Sequence, residues 1–276
     1  MTTETFLQTE NILFTAAVAG YLAATALYFI FFAVKKERAG QWAGRIFAAA
    51  FVLHTLAMAA RGVGAGRLPL TNQYEFATSF AWGISLCYLI FMIKYRFRAL
   101  GAFVSPVIFL IIGYAAMQSR EVRELMPALR SNWLAIHVST AIISYGAFGV
   151  AFGVSMVYLF RGRMKEDAFH QREMPDLERL DLISYRTVSL GFLFLTLVII
   201  TGAIWAERAW GRYWSWDPKE TWSLITWIIY ALYLHVRLSR GWNGKKAAWF
   251  AVIGFICVVF TYIGVNTWIP GIHSYA

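Results

Sequence analysis

Long runs of residues without formal charge constrain this chain more than any other feature. From Ser131 to Phe160 there are 30 consecutive residues with no Asp, Glu, Lys or Arg, and comparable runs recur along the sequence. A hydrocarbon core about 30 Å thick takes roughly 20 helical residues to cross, because a helix satisfies its backbone polar groups internally. Eight stretches meet that requirement, near Ile12 to Val34, Trp42 to Ala60, Phe76 to Ile93, Ala99 to Met117, Trp133 to Phe160, Thr187 to Ala206, Trp222 to Val236 and Ala247 to Val265. The expected fold is an all-α, polytopic integral membrane helix bundle with eight transmembrane helices, built as a single membrane domain over residues 1–276. Only 14% of the residues are charged, against about 25% in soluble domains. That excludes a secreted disulfide scaffold, a disordered tail and a nucleic-acid binder, even with a net charge of +10.

Topology accounts for the positive charge. Of the 25 Lys and Arg residues, seventeen fall in four connections that can share one side, including Lys35, Lys36, Lys94, Arg161, Arg237 and Lys246. The other eight, including Arg61, Arg120, Arg208, Arg212 and Lys219, fall on the opposite side. Cytoplasmic loops retain basic residues, so both termini are expected on the outer, periplasmic side of a bacterial cytoplasmic (inner) membrane. Glu4 and Glu10 precede the first span without a basic cluster, which argues against a cleaved signal peptide. Residues 161–186 mix both charge signs and contain Pro175, and read as a cytoplasmic linker with room for one interfacial helix. Gly149 and Gly153 have the spacing that lets helices approach closely. Cys87 and Cys257 stand singly, without C-x-x-C or C-x-x-C-H, so thiol exchange and covalent haem carriage are not expected.

Ionisable groups inside a bilayer are costly and usually face a functional interior, which makes the histidines informative. His170 lies among charged neighbours in the linker and reads as a surface residue. His54 falls mid-span in the second stretch and His235 closes the seventh near the cytoplasmic side. Each could simply bond a neighbouring helix, or the two could offer imidazole ligands to a metal or haem iron. Counting about 20 residues outward from Arg161 and from Lys246 leaves His137 and His273 just beyond the outer hydrocarbon edge. Between the sixth and seventh spans, residues 205–222 form an external loop holding Trp205, Trp210, Trp214, Trp216 and Trp222, with Tyr213 among them. Flat aromatic faces at that density suit a large planar apolar ligand, while Arg208, Arg212 and Lys219 could meet its carboxylates. With two imidazoles nearby, iron porphyrin is the natural candidate.

The run Trp210-Gly-Arg-Tyr-Trp-Ser-Trp-Asp-Pro-Lys-Glu-Thr-Trp222 resembles the tryptophan-rich WWD signature of haem-handling proteins in the cytochrome c assembly family. The likeness continues through Tyr233-Leu-His235, Phe260 to Asn266, and Gly271 to Tyr275, and with eight spans it is nearest the CcsA/ResC type. Tyr213 stands where many relatives carry tryptophan and keeps a flat ring. The resemblance implies haem b (iron protoporphyrin IX) as cofactor, entering on the cytoplasmic side at His54 and His235. It further implies presentation at the loop with His137 and His273 as axial ligands to the iron. Trp214, Trp216 and Asp217 would act in presentation, and apocytochrome c would receive the haem through thioether bonds at its CXXCH motif. A separate CcsB/ResB-type membrane protein is the implied partner, the chain being the haem-handling subunit of a cytochrome c synthase (haem lyase) complex.

Two readings from other classes compete. A quinone-linked b-type dihaem electron carrier needs no aromatic surface loop, and a small-solute transporter is expected to show broken helices or repeated halves near the midplane. From the basic asymmetry, reporter fusions after Ala276 and near Arg212 should both read as external; a cytoplasmic signal at either would break the eight-span scheme.

Overall fold

A computed structural model describes residues 2–163, 168–269 and 271. Among these, every regular element is helical: α1 (Thr3–Val34), α2 (Glu37–Ala65), α3 (Gln73–Tyr95), α4 (Gly101–Ala116), α5 (Asn132–Arg161), α6 (Ala168–Glu173), α7 (Leu177–Trp210), α8 (Pro218–Arg240), α9 (Gly244–Val259) and α10 (Val265–Trp268). A π-helical turn, Phe260–Gly264, joins α9 to α10 without a break. Among the described residues seven helical stretches are long and apolar enough to cross a membrane, and the chain is a multi-pass membrane protein. The expected seventh span coincides with α8, whose 23 residues are long enough but less apolar than the rest. Its bulk comes from Trp222, Trp227, Tyr230 and Tyr233, rings that carry a polar N–H or O–H. The linker at 161–186 is shorter than expected, because α7 begins at Leu177, capped by the Asp176 carboxylate accepting from the Arg179 amide at 2.7 Å. A short helix, α6, lies within that stretch.

The chain divides into two compact units, Met1–Arg123 with Lys165–Pro175, and Glu124–Met164 with Asp176–Ala276. In the first unit α1 and α2 pack along most of their lengths. Along α1 a buried stripe is spaced alternately by four and three, Glu10, Phe14, Ala17, Tyr21, Ala24, Tyr28, Phe31, with Thr25 buried beside it. The buried residues of α2 follow the same repeat, Gly40, Ala43, Phe47, Ala50, His54, Ala57, Arg61, Gly64. That period keeps one stripe facing its partner over the whole helix. On α2 Phe47, His54 and Arg61 recur at every seventh position and the rest of the stripe is Ala or Gly; Phe31 of α1 sits against Gly40, while the Tyr21 ring meets Phe47 and His54 edge-on. His54 is fully buried because it belongs to this seam.

At one end of the unit the seam closes on an ion cluster. Arg61 Nε donates to Glu75 at 3.1 Å, Arg67 donates to the other Glu75 oxygen at 2.7 Å, and the Thr71 amide and hydroxyl both reach Glu75 at 2.9 Å. Arg61 also donates to the Arg120 carbonyl at 2.7 Å, and Tyr74 bonds Glu10. Glu75 is thus a buried carboxylate saturated with donors.

The second unit packs α5 against α7 and α9, with α8 against α9 and α7. Gly149 and Gly153 lie buried on α5, as the helix-packing spacing anticipates. Nearby Phe148 stacks on Tyr230 with centroids 3.8 Å apart and planes 3° from parallel. Gly191 of α7 and Gly254 of α9 flank the pair so closely that a Cβ would meet Phe148 at 2.7 Å and Tyr230 at 2.5 Å. At the α8–α9 connection, Asp181 pairs with Arg237 and accepts from the Gly244 amide at 2.8 Å.

Removing the central carboxylate of the ion cluster, Glu75→Ala, leaves Arg61 and Arg67 buried without it. The expected cost is about 3–5 kcal/mol, read as lower thermal stability or accumulation in the membrane, and a variant that melts with the wild type would contradict it.

Candidate functional site

The aromatic loop is shorter and more constrained than its sequence span suggests. Trp205 and Trp210 still belong to α7, which ends when Gly211 takes a left-handed conformation (φ 73) and its amide bonds the Glu207 carbonyl at 2.7 Å. Asp217 caps the N-terminus of α8, with Pro218 in the first turn, where a missing N–H costs nothing. Irregular chain is therefore confined to residues 211–217. Within it Tyr213 and Trp216 are 61% and 69% exposed, and the Trp216 ring stands edge-on to Trp214, centroids 5.8 Å apart.

Trp216 has φ 59. A bulky side chain in the left-handed region costs about 1–2 kcal/mol and persists only where its neighbours impose it. Glu220 does so. Its Oε2 accepts from the amides on both sides of Trp216, Ser215 at 2.8 Å and Asp217 at 3.1 Å, while the Asp217 side chain returns a bond to the Lys219 amide at 3.0 Å. Both halves of a capping box are present. Glu220 was not among the sequence candidates, although Asp followed three residues later by Glu is the mark of such a cap. Asp217 is 7% exposed and acts here as a helix cap. Lys219 is partly buried; burial pulls its ammonium down to about 8 and neighbouring Asp217 opposes that shift.

The basic candidates Arg208 and Arg212 are both exposed, with the Arg208 guanidinium over the Trp133 ring at 5.6 Å. Trp222, in the first turn of α8, packs on Phe260 of the π turn at 4.3 Å, and Thr226 below it bonds Thr261 at 3.3 Å. Past that turn the buried Asn266 Oδ1 has no hydrogen-bond partner among the described residues. His273 lies outside the described residues. The chain two positions earlier passes against the cap: a Cβ on Gly271 would meet the Asp217 carboxylate and approach Pro218 Cδ to 3.0 Å.

His137, on α5, is half-buried and its Nδ1 lies 2.9 Å from the Val198 carbonyl of α7. Trp205 backs it, ring planes 16° apart and centroids at 6.1 Å. Trp205 was expected to face a ligand, yet it is 1% exposed, donates its indole N–H to the Ala128 carbonyl at 3.0 Å, and meets Trp210 edge-on at 4.8 Å. The structure thus gathers Trp205, Trp210 and His137 at one end of the second unit. His235 is exposed on α8, in a stripe with Ile228, Leu232 and Leu238. In the first unit, His54 Nδ1 is 3.2 Å from the Tyr21 hydroxyl. The Thr78 backbone interacts with its ring, yet Nε2 has no partner of hydrogen-bonding geometry.

Among the described residues no three His, Cys, Asp or Glu converge, an arrangement needed for a bare metal ion but not for a porphyrin, whose iron takes only one or two axial protein ligands. A half-buried imidazole giving one N–H to a backbone carbonyl has the outer support common to metal-ligating histidines. Exposed indole and phenol rings and guanidinium groups supply the remaining chemistry. The residues fit a haem group.

Residues 70–273 match the family described as cytochrome C assembly protein. The chain is 36% identical to the cytochrome c biogenesis protein CcsA of Synechococcus sp. (strain WH7803), covering 96% of this chain and 95% of that relative. It is 37% identical to the Guillardia theta protein of that name, over 80% and 81%, and 39% identical to that of Chlamydomonas reinhardtii, over 81% of this chain and 65% of the relative. Among solved structures, cytochrome c heme lyase CcmF superposes with a TM-score of 0.71 at 16% identity, over 95% of this chain and 47% of the longer one. That likeness concerns the fold.

Because Glu220 imposes the exposed Trp216 conformation, Glu220→Ala should release about 1–2 kcal/mol of local order and lower cytochrome c maturation several-fold with normal membrane accumulation. Glu220→Gln, still able to complete a capping box, should lie between. Wild-type maturation in Glu220→Ala would detach the loop's geometry from its work.

Proposed function

As this chain belongs to the cytochrome c assembly family, as a CcsA-type cytochrome c biogenesis protein, we propose that it moves haem outward across the membrane and presents it for attachment to apocytochrome c. The reading rests above all on His137, an imidazole whose Nδ1 is engaged by a carbonyl at the end of the unit that also carries the strained, exposed tryptophan loop. When bound, haem b would supply an iron, two carboxylates and vinyl groups to which cysteine thiols add without any net oxidation. His137 and His273 hold the iron on the outer side. Trp214, Trp216 and Tyr213 offer flat faces, Trp205, Trp210 and Trp222 back them, and Arg208, Arg212 and Lys219 meet the carboxylates. Asp217 holds the loop's end in place. On the cytoplasmic side His54 and His235 provide the imidazoles for uptake.

In this scheme α8 is the seventh of eight spans, both termini and the loop lie on the outer side of a bacterial cytoplasmic membrane, and residues 1–276 work as one membrane domain. A CcsB/ResB-type membrane protein completes the haem lyase. A quinone-linked carrier has no use for a tryptophan held exposed against its own backbone preference, and neither does a solute transporter.

Glycine variants test the ligand set. His137→Gly and His273→Gly should each weaken haem retention roughly tenfold or more, the scale on which even outer partners of a ligating histidine act. Free imidazole should restore part of the haem spectrum and of maturation. At His54, fully buried, the gap is closed to a polar molecule that must shed its water, and rescue should be weaker. Full maturation in both outer variants without imidazole would sink the assignment.

A further inference from the structure

Val198, Gly202 and Trp205 stand at i, i+4 and i+7 on α7, which puts them on one face of the helix, and the His137 ring contacts all three. A carbonyl oxygen only accepts, so the 2.9 Å approach of Nδ1 to the Val198 oxygen requires the proton on Nδ1. In a neutral imidazole that leaves the lone pair on Nε2. Gly202 makes the approach possible. A Cβ built there would lie 2.8 Å from Cε1 and 2.9 Å from Nδ1, but 3.7 Å from Nε2. Any larger residue at 202 therefore pushes on the edge of the ring that meets the helix. Trp205, held by its own bond to Ala128, blocks escape along the helix toward the loop.

We propose that Gly202 is a positioning residue: by admitting the His137 ring to the Val198 carbonyl, it fixes the tautomer that carries its lone pair on Nε2, the form in which this nitrogen can ligate haem iron. The inference rests on His137 as an axial ligand, and Gly202 itself touches no reacting atom. Alanine at 202 is a better helix former than glycine, so α7 keeps its structure in the variant and the ring is what moves.

The test uses the full chain in lipid nanodiscs, with Gly202→Ala beside Gly113→Ala as a control, since Gly113 has open space around its Cα. In haem-free protein, ring nitrogen NMR of His137 should show one tautomer, protonated on Nδ1, in the wild type and in Gly113→Ala. Gly202→Ala should show a mixture, with haem retention about ten- to a hundredfold weaker and a shifted haem absorption spectrum. An unchanged His137 tautomer in Gly202→Ala overturns the proposal. A changed tautomer with unaltered haem retention and spectrum keeps the positioning contact but overturns His137 as the ligand, which separates the two failures. If Gly202→Ala fails to accumulate, His137→Ala in the same chain should restore accumulation by removing the ring it strikes; no restoration would equally overturn the contact.

Discussion

Helices in hydrocarbon gain little from burying apolar side chains against each other, because the lipid they leave is as apolar as the partner they meet. Close approach of backbones therefore carries the association, and small residues set where it happens. In the first unit Gly40 of α2 leaves room for Phe31 of α1, and Gly101 of α4 for Tyr28. In the second, Gly191 and Gly254 leave room for the Phe148–Tyr230 stack. The His137 ring set against Gly202 is a local version of the same arrangement, a ring placed where a side chain has been omitted.

This packing gives the imidazoles different surroundings. His54 occupies a large-residue position of a regular seam, so it is enclosed, held by Tyr21, and its remaining nitrogen has no partner of good geometry. His137 sits at a helix edge and is directed by a backbone carbonyl, with part of the residue still accessible. His235 faces outward on a stripe of aliphatic residues. An enclosed imidazole exchanges a ligand only when helices move, whereas a half-open one needs no such motion.

Much of this was legible from charge and length alone. Charge-free runs located the helices because a single buried charge is expensive in hydrocarbon, and only α8 departs, its aromatic rings filling space that aliphatic residues fill elsewhere. The α1–α2 seam was also present in the order of small and large residues, but a three-and-four repeat shows which face is buried without saying what covers it. Trp205 illustrates the limit. In sequence it is one more tryptophan in a dense loop; in the fold it lies within α7, before its last turn, turned inward by a carbonyl 77 positions earlier. Gly202 was invisible for the opposite reason, since a glycine inside an apolar span has no pattern until the ring pressed against it is known.

The loop shows how a polar cap can store strain at a membrane edge. Gly211 stops α7 and Asp217 starts α8, so the turn between them has few residues in which to reverse direction. Two amides in that turn, those of Ser215 and Asp217, would be left without acceptors if Trp216 relaxed to an extended conformation. One carboxylate, Glu220, takes both, and charge-assisted bonds of this kind are roughly twice as strong as neutral ones. Their gain is comparable to the cost of a left-handed tryptophan, so the indole is held outward by the helix that follows it. Exposure of Trp216 is then a consequence of helix capping, and the same residues that begin α8 determine what the loop can offer to a flat ligand.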